Sequence, residues 1–266
     1  MSTTAGIIEP EPILLRNDTN GIATLTLNRP NKFNALSEDM LGALQDGLDA
    51  IADDKSVKVV VLAGAGKAFC GGHDLKEMRA RPDQDYYRFL FNKCSDMMLS
   101  MTQIPQPVIA RVHGIATAAG CQLVANADLA VASSNAKFAT SGVNLGLFCA
   151  TPGVPLSRNI LRKHAMEMLL TGDFISADEA ARLGLINRVA EPDQLDKAVN
   201  DLAVHIAKRP AVAVRTGKQM FYKQIDKELA EAYRFAAEIM AQNMMADHTV
   251  EGIDAFIEKR DPAWKL

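Results

Sequence analysis

Two stretches of this chain combine small residues with a few reactive side chains. One is Ala68-Phe69-Cys70-Gly71-Gly72-His73-Asp74-Leu75; the other is His113-Gly114-Ile115-Ala116-Thr117-Ala118-Ala119-Gly120-Cys121-Gln122. Each places small residues where a strand should give way to a helix. Such a junction leaves backbone N–H groups unpaired, and the helix dipole adds to their attraction for negative charge. Two junctions converging on one point would form an oxyanion hole, which stabilises an enolate or a tetrahedral oxyanion. The chemistry expected is therefore that of a carbonyl compound whose oxygen takes on charge.

The elements that must position these stretches are readable from periodicity. Residues 13–15 and 22–27 read as strands around an Asn20-Gly21 turn, a hairpin signal. Ser37 is placed to cap a helix carrying Leu41, Leu44, Leu48 and Ile51 at helical spacing. Residues 57–63 form a continuous apolar run, as in a strand buried on both faces. Residues 64–72 read as loop, 86–101 as helix, 108–112 as strand, 120–125 as a short helix and 129–132 as a further buried strand. Strands alternating with helices indicate an α/β fold built from ββα turns or a parallel sheet. After Ser176-Ala177-Asp178-Glu179, a capping-box pattern, the chain turns helical to its end, with Pro192 suited to the first turn of the next helix. A helical face bearing Met240, Met244 and Met245 needs a cover. The chain divides on this reading into a core over residues 1–200 and a helical oligomerisation region over 201–266.

Composition narrows the partners. A net charge of −3 with no Lys/Arg run argues against nucleic acid. No stretch reaches the ~18–20 apolar residues of a membrane span. The four cysteines, Cys70, Cys94, Cys121 and Cys149, lack metal or redox spacing and read as buried reduced thiols. The five histidines show no metal-ligand spacing either, and no metal site is expected. Residues 1–16 show neither an Arg-rich transit pattern nor an apolar signal core, so the expected location is cytoplasmic.

The two stretches resemble the signature regions of the crotonase (enoyl-CoA hydratase/isomerase) superfamily. The resemblance continues through Asn28-Arg29-Pro30, Asn34-Ala35-Leu36, Pro107-Val108-Ile109-Ala110, Ala136-Lys137-Phe138, Val143-Asn144-Leu145-Gly146, Glu179 to Asn187 and Glu251 to Phe256. It is strongest with a subgroup sharing Gly72-His73-Asp74-Leu75, Ala116 to Leu123 and Gly146 to Val154. It implies a ββα spiral core with C-terminal helices that assemble a homotrimer or a dimer of trimers. It also implies an acyl-CoA thioester as ligand, with coenzyme A entering only as part of the substrate and no separate cofactor.

Carried over residue by residue, the resemblance makes the backbone N–H groups of His73 and Ala119 the oxyanion donors. It puts Asn31, Lys32 and Phe33 beside the pantetheine arm, and Gly71, His73 and Leu75 around the adenine and thioester. Ala35, Asp74, Ala119, Gly120, Gly142 and Leu145 complete the binding surface. Phe256 and Lys259 would reach the CoA phosphate of a neighbouring subunit. Where hydratases carry two glutamates this chain has Gln122 and Gly142. Hydration of an enoyl thioester needs one group to activate water and another to protonate the α-carbon; glutamine transfers no proton at neutral pH, and glycine has no side chain. Three functions stay open: a family lyase or isomerase, a decarboxylase- or thioesterase-like enzyme using His73, and an acyl-CoA-binding protein without catalysis. The His73 imidazole is expected either to exchange protons, with a pH inflection between about 5 and 8, or to pack against the CoA chain. Asp74 reads as a loop-holding acid, and His113 as a structural hydrogen-bonding residue.

Overall fold

A computed structural model describes residues 11–264. The chain opens with a hairpin, β1 (Leu14–Thr19) and β2 (Ile22–Leu27), antiparallel around a turn in which Asn20 and Gly21 both have positive φ. Ser37 then caps α1 (Glu38–Asp53) by accepting from the Met40 N–H, and Met40, Leu41, Leu44, Leu48 and Ile51 line its buried face.

Three strand–strand–helix turns follow. β3 (Val59–Gly64) and β4 (Ala68–Cys70) lead through the short helix α2 (Leu75–Ala80) into α3 (Gln84–Gln103). β5 (Val108–Val112) and β6 (Ile115–Thr117) lead into α4 (Ala119–Asn126). β7 (Leu129–Ser133) and β8 (Lys137–Ala139) lead into a 3-10 turn, Ser141–Leu145, and α5 (Ala150–Asn159). The residues expected as loop over 64–72 thus contain a strand, β4, too short to show periodicity.

α6 (Arg162–Thr171), β9 (Ile175–Ser176), α7 (Ala177–Leu183) and β10 (Arg188–Ala190) complete the core. The first strands of the turns join a six-stranded sheet of order β1-β2-β3-β5-β7-β10, parallel from β2 onward; the second strands form a smaller sheet, β4-β6-β8-β9. This is the ββα spiral. The apolar run at β3 is explained by its two faces: Val60 and Leu62 join the main core with α1, α3 and α4, while Val59 and Val61 meet Leu195, Val199 and Leu202 of α8 (Leu195–Ala207).

Two local expectations shift. Ser176 caps α7 through the Glu179 N–H, but Pro192 lies in a turn before α8, whose N-cap is Gln194. The division at residue 200 falls inside α8, which covers the large sheet, so helices leave that sheet after Ala207. α9 (Ala211–Gln224) is pinned to the core by Lys218. Its buried ammonium donates to the carbonyls of Met101 (2.7 Å) and Gln106 (2.9 Å) and pairs with Asp128 at 2.7 Å; Tyr222 donates to the same carboxylate. α10 (Leu229–Met244) buries no residue and α11 (Asp247–Glu258) only Ala255, leaving Met240, Met244, Met245 and Phe256 exposed. No helix among the described residues is long and apolar enough to cross a membrane.

Candidate active site

The small sheet brings the two junctions together. Cys70 of β4 stands in register with Ala116 of β6, so the chains leave the sheet side by side, toward His73 on one and Ala119 on the other. A Cβ on Gly72 would lie 3.0 Å from the Ala118 Cβ and 3.4 Å from the Ala119 nitrogen. Gly72 has φ +92°, and this close approach is why a side chain is not accommodated there.

Each junction leaves one backbone donor without an acceptor among the described residues. Leu36 and His73 form an isolated bridge in which the Leu36 N–H reaches the Gly72 carbonyl (2.8 Å) and the Asp74 N–H reaches the Leu36 carbonyl (3.1 Å). The His73 N–H between them has no acceptor among the described residues. On the other side, Ala118 holds φ +50°, ψ −119°, a conformation normally taken by glycine at the first central position of a type II′ turn. For alanine it costs about 1–3 kcal/mol. Both polar groups of Ala118 are fixed: its N–H donates to the Ala139 carbonyl (3.0 Å), and its carbonyl accepts from the Gln122 N–H (3.0 Å). The Ala119 N–H therefore points back out of α4, uncapped and without an acceptor among the described residues.

The surrounding loop is tied down by residues whose role periodicity does not reveal. Asn34 is fully buried in a left-handed conformation; its amide donates to the carbonyls of Ala65, Ala68 and Phe69 and accepts from the Arg29 N–H. It staples the β2–α1 loop to β4. The Gly71 N–H donates to the Phe33 carbonyl (2.8 Å), and Asp74 caps α2 while pairing with Arg29 at 3.1 Å. Asp74 is thus the loop-holding acid expected, its carboxyl held below the usual range by Arg29 and by the Lys76 and Glu77 N–H groups against the opposing effect of burial. The loop carrying Asn31, Lys32, Phe33 and Ala35 is therefore held against the segment carrying Gly71, His73 and Leu75. His113 bonds the Gly66 carbonyl at 2.9 Å, again a structural contact.

Three site residues have surroundings that change their chemistry. Both ring nitrogens of His73 are buried without a hydrogen-bond partner, and the ring packs edge-on against Phe91 at 5.4 Å. Burial pushes its pKa down to about 4, outweighing the raising effect of the nearby Leu36 backbone, which lies outside hydrogen-bond geometry, so the imidazole is neutral throughout the physiological range. The inflection expected between pH 5 and 8 does not follow for this group. Gln122 is buried with its Oε1 unpartnered. At Gly142, a Cβ would stand 2.4 Å from the Leu147 carbonyl oxygen and 2.7 Å from the Cys149 Sγ, and the Gly142 N–H donates to that sulfur at 3.2 Å.

A hydroxyl pair, Thr117 and Ser141 at 2.8 Å, joins the 3-10 turn to the second junction, bringing Gly142 alongside while Leu145 at the end of that turn is exposed. The four cysteines are free and buried; burial pushes the thiols of Cys70, Cys94 and Cys121 up to about 12 and raises that of Cys149. Phe256 and Lys259 lie on exposed α11 and its C-cap, and the single chain does not bring them to the junctions. Clefts of about 460 Å³ beside Lys218 and Tyr222 and about 340 Å³ beside Arg111 and Asp196 border neither donor, so the site is defined by its donors rather than by either cleft. No three His, Cys, Asp or Glu side chains gather as metal ligands among the described residues.

A ββα spiral with two free N–H groups at adjacent strand-to-helix junctions defines the crotonase class. The chain belongs to the enoyl-CoA hydratase/isomerase family, which residues 17–266 match. An enoyl-CoA hydratase structure from Mycobacterium smegmatis is 57% identical, with TM-score 0.95 over 96% of this chain and 100% of that one. The structure of human enoyl-CoA hydratase domain-containing protein 3 is 43% identical, with TM-score 0.92 over 95% and 100% of the two chains. The protein of that name from Xenopus laevis is 42% identical over 97% of this chain and 87% of its own length. The subgroup resemblance in the signature stretches is thus that of domain-containing protein 3.

The expectation of a cytoplasmic location is overturned here: the similar frog, rat, mouse and human proteins are all named mitochondrial. That expectation rested on residues 1–16, of which the first ten lie outside the described residues.

Proposed function

We propose that this protein binds an acyl-CoA thioester and polarises its carbonyl between the N–H groups of His73 and Ala119. The observation that carries this reading is the pair of unpaired donors on chains held side by side by the Cys70–Ala116 register. A negative oxygen between two preorganised donors is stabilised without any metal or redox cofactor, and removing one such donor elsewhere costs roughly 10²–10³ in rate. The loop Asn31–Ala35 with Gly71, Asp74 and Leu75 forms the CoA-facing surface, and Gly120 lets α4 approach β4, since a Cβ there would lie 2.1 Å from the Cys70 carbonyl oxygen.

The acyl group meets an uncharged set: neutral His73, Gln122 and the Thr117–Ser141 hydroxyls. Neither position of the hydratase carboxylates holds an acid, and that at 142 is filled by the Leu147 carbonyl and the Cys149 sulfur. Rapid hydration is therefore not the reaction proposed. An isomerase or lyase acting through the enolate fits the donors, with Gln122 orienting the substrate by hydrogen bonds. A decarboxylase- or thioesterase-like use of His73 is less well supported by an imidazole with its pKa near 4. The sealed carboxylate position also favours a second reading, an acyl-CoA-binding protein without turnover. We infer in addition that the exposed faces of α10 and α11 associate in a homotrimer or dimer of trimers, where Phe256 and Lys259 can reach a neighbouring subunit's CoA.

A panel of acyl-CoAs, read by calorimetry for affinity and mass spectrometry for product, tests the reading. Tight binding is expected, with crotonyl-CoA hydrated at least 10²-fold more slowly than by a two-carboxylate hydratase. Absence of acyl-CoA binding, or hydration at an ordinary rate, refutes it.

A further inference from the structure

We propose that Glu251 is a positioning residue for Lys259: it holds the end of α11 in a clasp that presents the Lys259 ammonium to the 3′-phosphate of a CoA bound by a neighbouring subunit. This rests on the assembly proposed above, in which Lys259 reaches that CoA. α11 ends in a Schellman turn, with the Lys259 N–H donating to the Phe256 carbonyl (3.3 Å) and the Arg260 N–H to the Ala255 carbonyl (2.9 Å). Lys259 holds the left-handed position of that turn, with φ +56°, where glycine is the usual residue. A lysine keeps such a backbone only where its surroundings enforce it. Glu251, about two turns back along α11, supplies the enforcement. Its carboxylate takes both ends of the Arg260 guanidinium (2.7 and 2.9 Å) and the Ala263 N–H (2.6 Å), bonds that hold its pKa down to about 2. Beyond Ala263 the Trp264 ring lies over Gly252, so the returning chain is pressed against α11.

The clasp also decides which cation is left for a ligand. Arg260 pairs with both Glu251 and Glu258, whereas Lys259 makes no ion pair among the described residues. An ammonium on an exposed turn with no carboxylate partner is available to an outside anion. The 3′-phosphate of CoA is a monoester carrying close to two negative charges. It lies at the end of the molecule far from the thioester, where a flanking subunit can meet it without approaching the donors.

Titration calorimetry on the full-length protein, with butyryl-CoA and its 3′-dephospho form as ligands, tests this. The wild type is expected to bind the phosphorylated ligand about tenfold more tightly. Lys259→Ala should bring the two ligands within about threefold of each other. Glu251→Gln, which keeps the size of the side chain and removes its charge, should do the same, with Kd for the dephospho ligand changed less than about threefold. Adding Glu251→Gln to Lys259→Ala should lower the preference no further, because the two residues act as one unit. A Glu251→Gln protein that keeps the wild-type preference overturns the positioning role. So does one that weakens for both ligands alike, the mark of a merely structural residue. A preference absent from the wild type, or unchanged by Lys259→Ala, overturns the contact of Lys259 with CoA and the positioning role with it. Failure of the wild type to bind either ligand overturns the acyl-CoA reading itself.

Discussion

Restoring the absent carboxylates should fail, and it should fail at position 142 for a reason measurable without substrate. Any Cβ at Gly142 lies 2.4 Å from a backbone oxygen and 2.7 Å from a buried sulfur, roughly 1 Å short of ordinary contact. The oxygen belongs to Leu147, whose own N–H donates back to the Gly142 carbonyl at 3.0 Å, so the segment 142–147 is closed on itself and has no flexible end to yield. Overpacking of this kind costs about 1–3 kcal/mol. Weakening of the Leu147 N–H bond or of the Gly142 N–H contact to Cys149 adds about 0.5–1.5 kcal/mol. Gly142→Ala alone should therefore lower the melting temperature by roughly 5–10 °C, taking about 2–4 °C per kcal/mol for a chain near this size. Gly142→Glu should lower it further, because a carboxylate is added where no cation lies within the segment. Gln122→Glu changes no volume, and it should fold with a raised carboxyl pKa, since the site it enters is buried. The double variant should still hydrate crotonyl-CoA at least 10²-fold more slowly than a two-carboxylate enzyme. Circular-dichroism melts and loss of the enoyl absorbance measure both effects. An unchanged melting temperature for Gly142→Ala, or ordinary hydratase turnover by the double variant, refutes the argument that the second position is filled.

Two further perturbations follow from buried ionisable groups. His73 is expected at about 4 in the folded chain, against 6.5 for the free group. The unfolded chain therefore takes up the proton first: the contribution is complete above pH 6.5 and is lost as pH falls from there toward 4, to a limit of about 3 kcal/mol. His73→Phe should lose less stability than the wild type between pH 7 and pH 4.5 in paired melts, and an equal loss would show that the imidazole is not held neutral. Removing the ammonium that pins α9, by Lys218→Met, leaves the Asp128 carboxylate without its cation and the Met101 and Gln106 carbonyls without their donor. Breaking a buried pair from one side costs about 3–5 kcal/mol, so a fall of roughly 10 °C or more is expected by calorimetry, and a shift under about 2 °C would mean that α9 is held by other contacts.

The parts of this molecule that were legible in the sequence are those fixed by neighbours a few residues away. Ser37 and Ser176 cap helices because an N-cap needs only its own N3 amide. The β3 run signals burial on both faces because every residue in it is apolar. The two donor stretches stand out because small residues are costly inside regular elements and useful where backbones meet. β4 escaped notice because three residues carry no period, and Pro192 misled because a turn before a helix uses proline as readily as its first turn does. What the sequence could not carry is the consequence of long-range packing. Asn34 reads as one more polar loop residue until its amide is seen joining three carbonyls 31 to 35 residues away. His73 reads as a titrating imidazole until both its nitrogens are found buried and unpartnered.

Gly142 makes the distinction sharpest. From the sequence it is an absence, a position where an acid would be needed and no side chain exists. An absence of that kind is compatible with a vacancy open to water or to a substrate group, and a vacancy would leave proton transfer through water open at that position. The path of the chain from 142 to 149 denies a side chain its first carbon, because a carbonyl oxygen and a thiol stand where a Cβ would go. The thiol is no substitute acid, since burial raises its pKa. Under the proposed acyl-CoA reading, no side chain at 142 is available to move a proton, which leaves Gln122, His73, the substrate or solvent. Gln122 carries no transferable proton, and His73 is a poor base at neutral pH. The proposed chemistry that these residues fit is one that needs only the thioester oxygen stabilised, with the proton moved by the substrate or by solvent.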